Sequence, residues 1–261
     1  MSKKNTWTLF EILFMLFSIV ALVVCFVLSE EKSLFSLTCS ILGVIAVLTV
    51  AKGLFWAPYI NLIYNTAYAI LSYTQGFYGE FIIGMFLMNA ICVITIISWF
   101  KNRKKEDARV VEINKIKGRE YIFLVCGVIL LTVAFYFILK LLNTNKLIVS
   151  TISLVGSVVA SYLMFRRSSY YAIGFIFNDI VLIVMWSLNM VTNGIGYLPT
   201  VICFIIFLFN DVYGFIHWKI EEKNSLQLNN ININFVCEFV LRYTRSTISR
   251  SARPGFIPRY N

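Results

Sequence analysis

Residues 170–190 read YYAIGFIFNDIVLIVMWSLNM, and residues 198–218 read LPTVICFIIFLFNDVYGFIHW. Each matches the length a helix needs to cross a hydrocarbon core, roughly 20 residues for about 30 Å. Each carries an Asn-Asp pair near its middle, Asn178-Asp179 in the first and Asn210-Asp211 in the second. A charge at the bilayer centre costs about 2.5 kcal/mol or more, so such residues face a bundle interior or a water-filled cavity. The two strings therefore point to a bundle of membrane helices and to the first place to look for a ligand.

The rest of the chain agrees. Its 261 residues are 59% hydrophobic and 14% charged, with a mean hydropathy of +0.78, well above that of a soluble domain. Apolar runs at 7–28, 35–51, 54–75, 81–100, 121–142, 147–165, 170–190 and 198–218 predict an all-α polytopic membrane protein with eight transmembrane helices. Only Lys52-Gly53 divides the second run from the third, and a Lys followed by the most permissive residue predicts a turn. The first run follows Lys3 and Lys4, as a signal peptide would. It exceeds the length of a secretory apolar region and lacks a small-residue cleavage site, so a retained helix is expected.

Orientation follows from the distribution of Lys and Arg, which short cytoplasmic loops retain. With the N-terminus inside, the inner segments hold Lys3, Lys4, Lys52, the run from Lys101 to Glu120, Arg166, Arg167 and the tail. The central run alone carries eight basic against four acidic residues. The outer segments hold only Lys32 beside Glu30 and Glu31, then Glu80 and Lys146. Both termini are thus expected to be cytoplasmic. The net charge of +10 sits in the gaps between apolar runs, so topology accounts for it without a nucleic-acid partner. Trp7, Trp99, His217 and Trp218 fall near predicted interfaces and are expected to form part of an aromatic belt. Six cysteines without a C-x-x-C, and a single histidine, suggest neither a metal site, a disulfide framework nor a cofactor. Beyond Lys219, the apolar stretch 235–241 is too short to span. The tail is expected to be partly disordered or to lie on the membrane surface, with five arginines from Arg242 to Arg259 available to anionic lipid.

Runs two to four and six to eight form two triplets separated by a basic loop and a lone helix. Both end alike, in Ser98-Trp99-Phe100-Lys101 and His217-Trp218-Lys219. One crossing intervenes, so the triplets share an orientation, as parallel repeats do. The division is an extra N-terminal helix (1–34), a first repeat (35–100), a basic loop (101–120), a linker helix (121–146), a second repeat (147–218) and a basic tail (219–261). No Walker sequence, H-E-x-x-H or nucleophile with a base is present, so neither ATP use nor enzymatic catalysis is expected and no residue is assigned a catalytic role.

Several strings resemble a known family: Trp7-Thr8-Leu9-Phe10-Glu11, Ala51-Lys52-Gly53, Tyr68-Ala69-Ile70-Leu71-Ser72-Tyr73, Gly76-Phe77-Tyr78-Gly79-Glu80, and the run from Asn210 to Trp218. In order and spacing they are similar to the PnuC family of bacterial vitamin transporters, best known for nicotinamide riboside. The resemblance implies a SWEET-like 3+1+3 arrangement with an additional first helix, a homotrimer in the inner membrane, and facilitated diffusion made one-way by cytoplasmic phosphorylation of the substrate. Two departures bear on the substrate. A Trp-x-x-Trp pair common in the family is replaced here by Tyr171 and Gly174, and an Asn and a Gln of the fourth helix fall on Gly84 and Cys92. Another nucleoside, a deoxynucleoside, thiamine or riboflavin stays open beside nicotinamide riboside, as does coupling to an ion through Asp179 or Asp211.

The candidate substrate contacts follow from spacing. Asn61, Tyr64, Asn65 and Tyr68, continued by Ser72 and Gln75, lie along one face of the third helix. A polar stripe facing lipid would be costly, so it is expected to face protein or a cavity. In the seventh helix Asp179 and Trp186 are nearly eclipsed with Asn178 beside them, which would suit a flat heterocycle joined to a sugar. The eighth helix offers Asn210 and Tyr213, with Asp211 and Gly214 on the neighbouring side, and the fourth offers Asn89 near the midplane. Asn178 and Asn210 are the favoured contacts, with the two aspartates as structural alternatives.

Overall fold

A computed structural model describes residues 7–29, 33–105, 107–144, 146–193 and 198–251, with side chains as far as Gln227 except at Asn193. Helices dominate, and only two isolated β-bridges occur among these residues. We number the long helices α1 (Leu9–Leu28), α2 (Leu34–Ala51), α3 (Ala57–Thr74), α4 (Tyr78–Lys101), α5 (Gly118–Leu141), α6 (Leu147–Phe165), α7 (Tyr171–Asn193) and α8 (Leu198–Ser251). Seven of these are long and apolar enough to cross a membrane; α3, 18 residues long, carries the polar stripe and is less apolar. Residues 1–219 form one compact unit and 220–261 a second. The second continues as helix to Ser251 where partial disorder was one expectation, and the side chains of Arg242 to Arg259 lie outside the described residues.

Local chemistry sets the helix ends. Thr8 and Glu11 make a reciprocal capping box at the start of α1, the threonine hydroxyl accepting from Glu11 N and the carboxylate from Thr8 N. Pro58 opens α3, where its missing N–H costs nothing. The turn expected at Lys52-Gly53 is present, with Gly53 at φ 64°, a conformation that costs glycine little. Gly76, at φ 73°, turns the chain back so soon after α3 that α4 starts at Tyr78 instead of near residue 81. Glu80, expected in an outer loop, is therefore a buried helical residue. Between Ile83 and Met88, α4 widens into a π-helical turn, a feature that often marks functional sites.

The turns that follow α2 and α6 match in detail. After α2 the chain turns with Gly53 N donating to Val50 O and Leu54 N to Thr49 O; after α6, Arg167 N donates to Met164 O and Ser168 N to Leu163 O, with Arg167 at φ 56°. A strap formed by residues 102–117 crosses both turns, donating from Val111 N to Gly53 O and from Asn114 N to Arg167 O. The indoles then cross over between triplets. Trp99, from α4, donates to Met164 O at the end of α6 at 2.9 Å, and Trp218, from α8, donates to Ala51 O at the end of α2 at 3.0 Å. Their rings lie 5.8 Å apart and both are buried, which corrects the expectation of an aromatic belt at these two positions. Half-exposed Trp7 instead packs against the Lys52 ammonium, 4.8 Å from its ring centroid.

Candidate functional site

A cavity of about 100 Å³ lies inside the bundle. A water needs only about 10–15 Å³, so there is room for several waters or a small ring. Its walls come from all six helices of the two triplets: Val47 and Val50 on α2, Asn61, Tyr64, Asn65 and Tyr68 on α3, Glu80, Ile83, Gly84 and Met88 on α4, Ser157, Ser161 and Met164 on α6, Phe175, Asn178, Asp179 and Leu182 on α7, and Phe204, Phe207 and Asp211 on α8. No wall residue comes from α1 or α5.

Helical periodicity explains why these side chains converge. The stripe of α3 turns its four polar residues inward. Tyr64-Asn65 stands as far beyond the Gly53 turn as Asn178-Asp179 stands beyond the Arg167 turn, so equivalent positions of α3 and α7 bring two pairs to one place. The tyrosines stack at 6.0 Å, and each takes the edge of a phenylalanine from α8, Phe207 on Tyr64 at 5.7 Å and Phe204 on Tyr68 at 5.8 Å. Gly43 makes this possible, since a Cβ there would lie 2.5 Å from Phe207 Cζ and 2.7 Å from Tyr64 Cε2.

Asn178 is held by two hydroxyls of α6, with Ser153 and Ser157 each donating to its Oδ1 at 3.0 Å. With that oxygen engaged, its remaining offer to a ligand is the Nδ2 donors. The approach of α7 to α6 that permits this needs Gly156, whose Cβ would meet Asn178 Cβ at 3.0 Å, and Gly174, which sits against the Ala160 backbone. Asp179 and Asp211 are close enough to share a hydrogen bond across α7 and α8. Asp179 Oδ2 and Glu80 Oε1 have no hydrogen-bond partner in their buried positions.

Six of the ten sequence-predicted contacts thus line the cavity: Asn61, Tyr64, Asn65, Tyr68, Asn178 and Asp179. The other four do not. Trp186 lies behind the wall, donating from Nε1 to the Tyr68 hydroxyl at 3.2 Å and packing edge-on against Phe77. Asn89 donates to Thr66 Oγ1 at 3.0 Å. Asn210 is buried off the cavity, with neither amide atom in a close hydrogen bond. Tyr213 donates to Glu11 Oε1 at 2.8 Å, in a buried cluster where Lys52 Nζ also reaches both Glu11 oxygens at 2.7 Å. Asp211, expected to be structural beside the favoured Asn210, is the polar α8 residue that lines the cavity, together with Phe204 and Phe207. Glu80 was missed because the apolar run was started one residue after it. Of the departures noted above, Gly84 lines the cavity, whereas Cys92 bonds Pro58 O and Tyr171 packs on Trp218.

Comparison with known proteins follows this geometry. The family model described as "Nicotinamide mononucleotide transporter" matches residues 33–220. The nicotinamide riboside transporter PnuC of Neisseria mucosa (strain ATCC 25996 / DSM 4631 / NCTC 10774 / M26) is 27% identical over 225 residues, 85% of each chain. Among solved structures, the crystal structure of the vitamin B3 transporter PnuC superposes with a TM-score of 0.74 at 25% identity, covering 84% of this chain and 94% of that one.

Proposed function

This chain belongs to the nicotinamide mononucleotide transporter family, a family of membrane transporters and not of enzymes, and on that premise we propose that it takes up nicotinamide riboside or a related ribosylated vitamin. One observation carries the reading: a cavity walled by aromatic rings and amides from both triplets and from neither α1 nor α5. Such a site, shared by two halves, is opened to one side or the other as the halves rock. The matching turns and crossed indoles support parallel triplets in a 3+1+3 arrangement of eight spans, with α1 additional and α5 the linker. The concentration of Lys and Arg in alternate loops supports cytoplasmic termini, and the family resemblance supports the inner membrane of a bacterial cell. The family resemblance supports a homotrimer, facilitated diffusion and trapping of the substrate by cytoplasmic phosphorylation.

The amides present a ring carboxamide and ribose hydroxyls with both donors and acceptors, and Tyr64, Tyr68, Phe204 and Phe207 supply faces and edges for a flat ring. The decisive experiment measures binding of purified protein to nicotinamide riboside, thiamine, riboflavin and deoxynucleosides, followed by uptake of the hit into proteoliposomes. We expect Asn178→Leu to lower affinity about tenfold or more, because Ser153 and Ser157 lose their acceptor and the ligand loses its donor. Unchanged affinity in this variant and in Asn65→Leu would remove the cavity as the substrate site.

A further inference from the structure

The described buried acids of the bundle fall into two kinds. Glu11 is neutralised within the fold, since Lys52 Nζ lies 2.7 Å from its carboxylate and Tyr213 and Thr8 also donate to it. Glu80, Asp179 and Asp211 are equally buried, at 5%, 4% and 6% exposure, yet no Lys, Arg or His is among the residues that line their cavity. Burying carboxylates without a cation is expensive, and a fold that pairs one such acid so completely leaves three around a single space without a cation, two of them close enough to share a hydrogen bond. Independently, Asp179 Oδ2 and Glu80 Oε1 remain without hydrogen-bond partners although their side chains line this cavity. The same cavity is lined by the stacked Tyr64 and Tyr68 with Phe204 and Phe207, and aromatic ring faces also favour a cation.

We propose that Glu80, Asp179 and Asp211 are charge-selecting residues, so that the site takes a heterocycle bearing a fixed positive charge and rejects its uncharged counterpart. The proposal rests on the reading of the cavity as the substrate site. A delocalised ring cation among the carboxyls supplies the missing counter-charge, and a neutral ring of the same shape leaves it missing.

The test compares ligands that share a sugar and a carboxamide and differ in the charge of the ring. Nicotinamide riboside carries a pyridinium, and its reduced dihydro form has the same sugar and carboxamide on an uncharged ring. Calorimetric titration of the full-length wild-type protein should show the cation binding about tenfold or more tightly than the dihydro form. Glu80→Gln, Asp179→Asn and Asp211→Asn should each narrow the gap between the two ribosides. Equal binding of the two ribosides by the wild type overturns the proposal without any variant having to fold. A neutral hit such as riboflavin or a deoxynucleoside, with no affinity for either the pyridinium or the thiazolium of thiamine, also overturns it while leaving the transporter reading intact. Failure of every ligand to bind overturns both.

Discussion

At the residue scale, the cavity depends on a glycine that touches no ligand. Gly43 lets Tyr64 and Phe207 meet edge to face, and Tyr64 is itself stacked on Tyr68. A methyl at position 43 has to displace one of those rings, and overpacking of this kind costs about 1–3 kcal/mol. Gly43→Ala should therefore lower the melting temperature in detergent and weaken substrate binding together, because the displaced ring has the cavity as its open side. A variant with unchanged melting but lost binding would contradict this account. Trp186 shows the complementary case, since its spacing from Asp179 implied a ring in the site. In the folded chain it stands one layer back and fixes the Tyr68 hydroxyl.

At the scale of elements, two acid–base pairs tie α1 to the end of α2 and α5 to the end of α6. Glu11, in the first turn of α1, pairs with Lys52 just past the end of α2, and Glu120, in the first turn of α5, pairs with Arg166 just past the end of α6. Burial makes them unequal. Removing one partner of a fully buried pair leaves an uncompensated charge and costs about 3–5 kcal/mol. An ion pair that water reaches is worth about 0–1 kcal/mol. The first pair is 1–2% exposed and the second 26–32%. We therefore expect Lys52→Met to lower thermal stability severely and Arg166→Met to lower it slightly, as read by fluorescence-detected melting. Comparable losses in the two variants would mean that burial does not set their weight. The double variant Glu11→Gln with Lys52→Met should recover much of the loss, because it leaves no charge behind.

At the scale of the whole molecule, a six-helix chamber with no basic wall residue bears on the driving force as well as on selectivity. A fixed cation moving through an uncoupled carrier follows the membrane potential, worth roughly 2.3 kcal/mol per charge per 100 mV. In proteoliposomes without a potential, the cationic substrate should only equalise. An inside-negative potassium diffusion potential of about 100 mV should accumulate it roughly 50-fold. Concentrative uptake at zero potential that appears only with a proton or sodium gradient would instead establish coupling, with Asp179 and Asp211 the groups to examine first.

Much of this protein was legible in the chain. Apart from α8, which continues to Ser251 where the run ends at Trp218, apolar run length by itself located the helix ends to within a few residues, because the bilayer penalises any exposed backbone that is not helical. The stripe from Asn61 to Tyr68 was equally readable, since side chains three and four apart share a helix face whatever the helix packs against. Glu80 was lost because one tight turn at Gly76 decides whether it is loop or helix. Only the tertiary structure could choose Asp211 over Asn210, place Trp186 behind Tyr68, and bury Trp99 and Trp218 against the ends of helices distant in sequence. Periodicity orders residues around one axis, whereas the rotation of that axis toward its neighbours is set by close contacts such as Gly174 on Ala160 and Gly156 on Asn178.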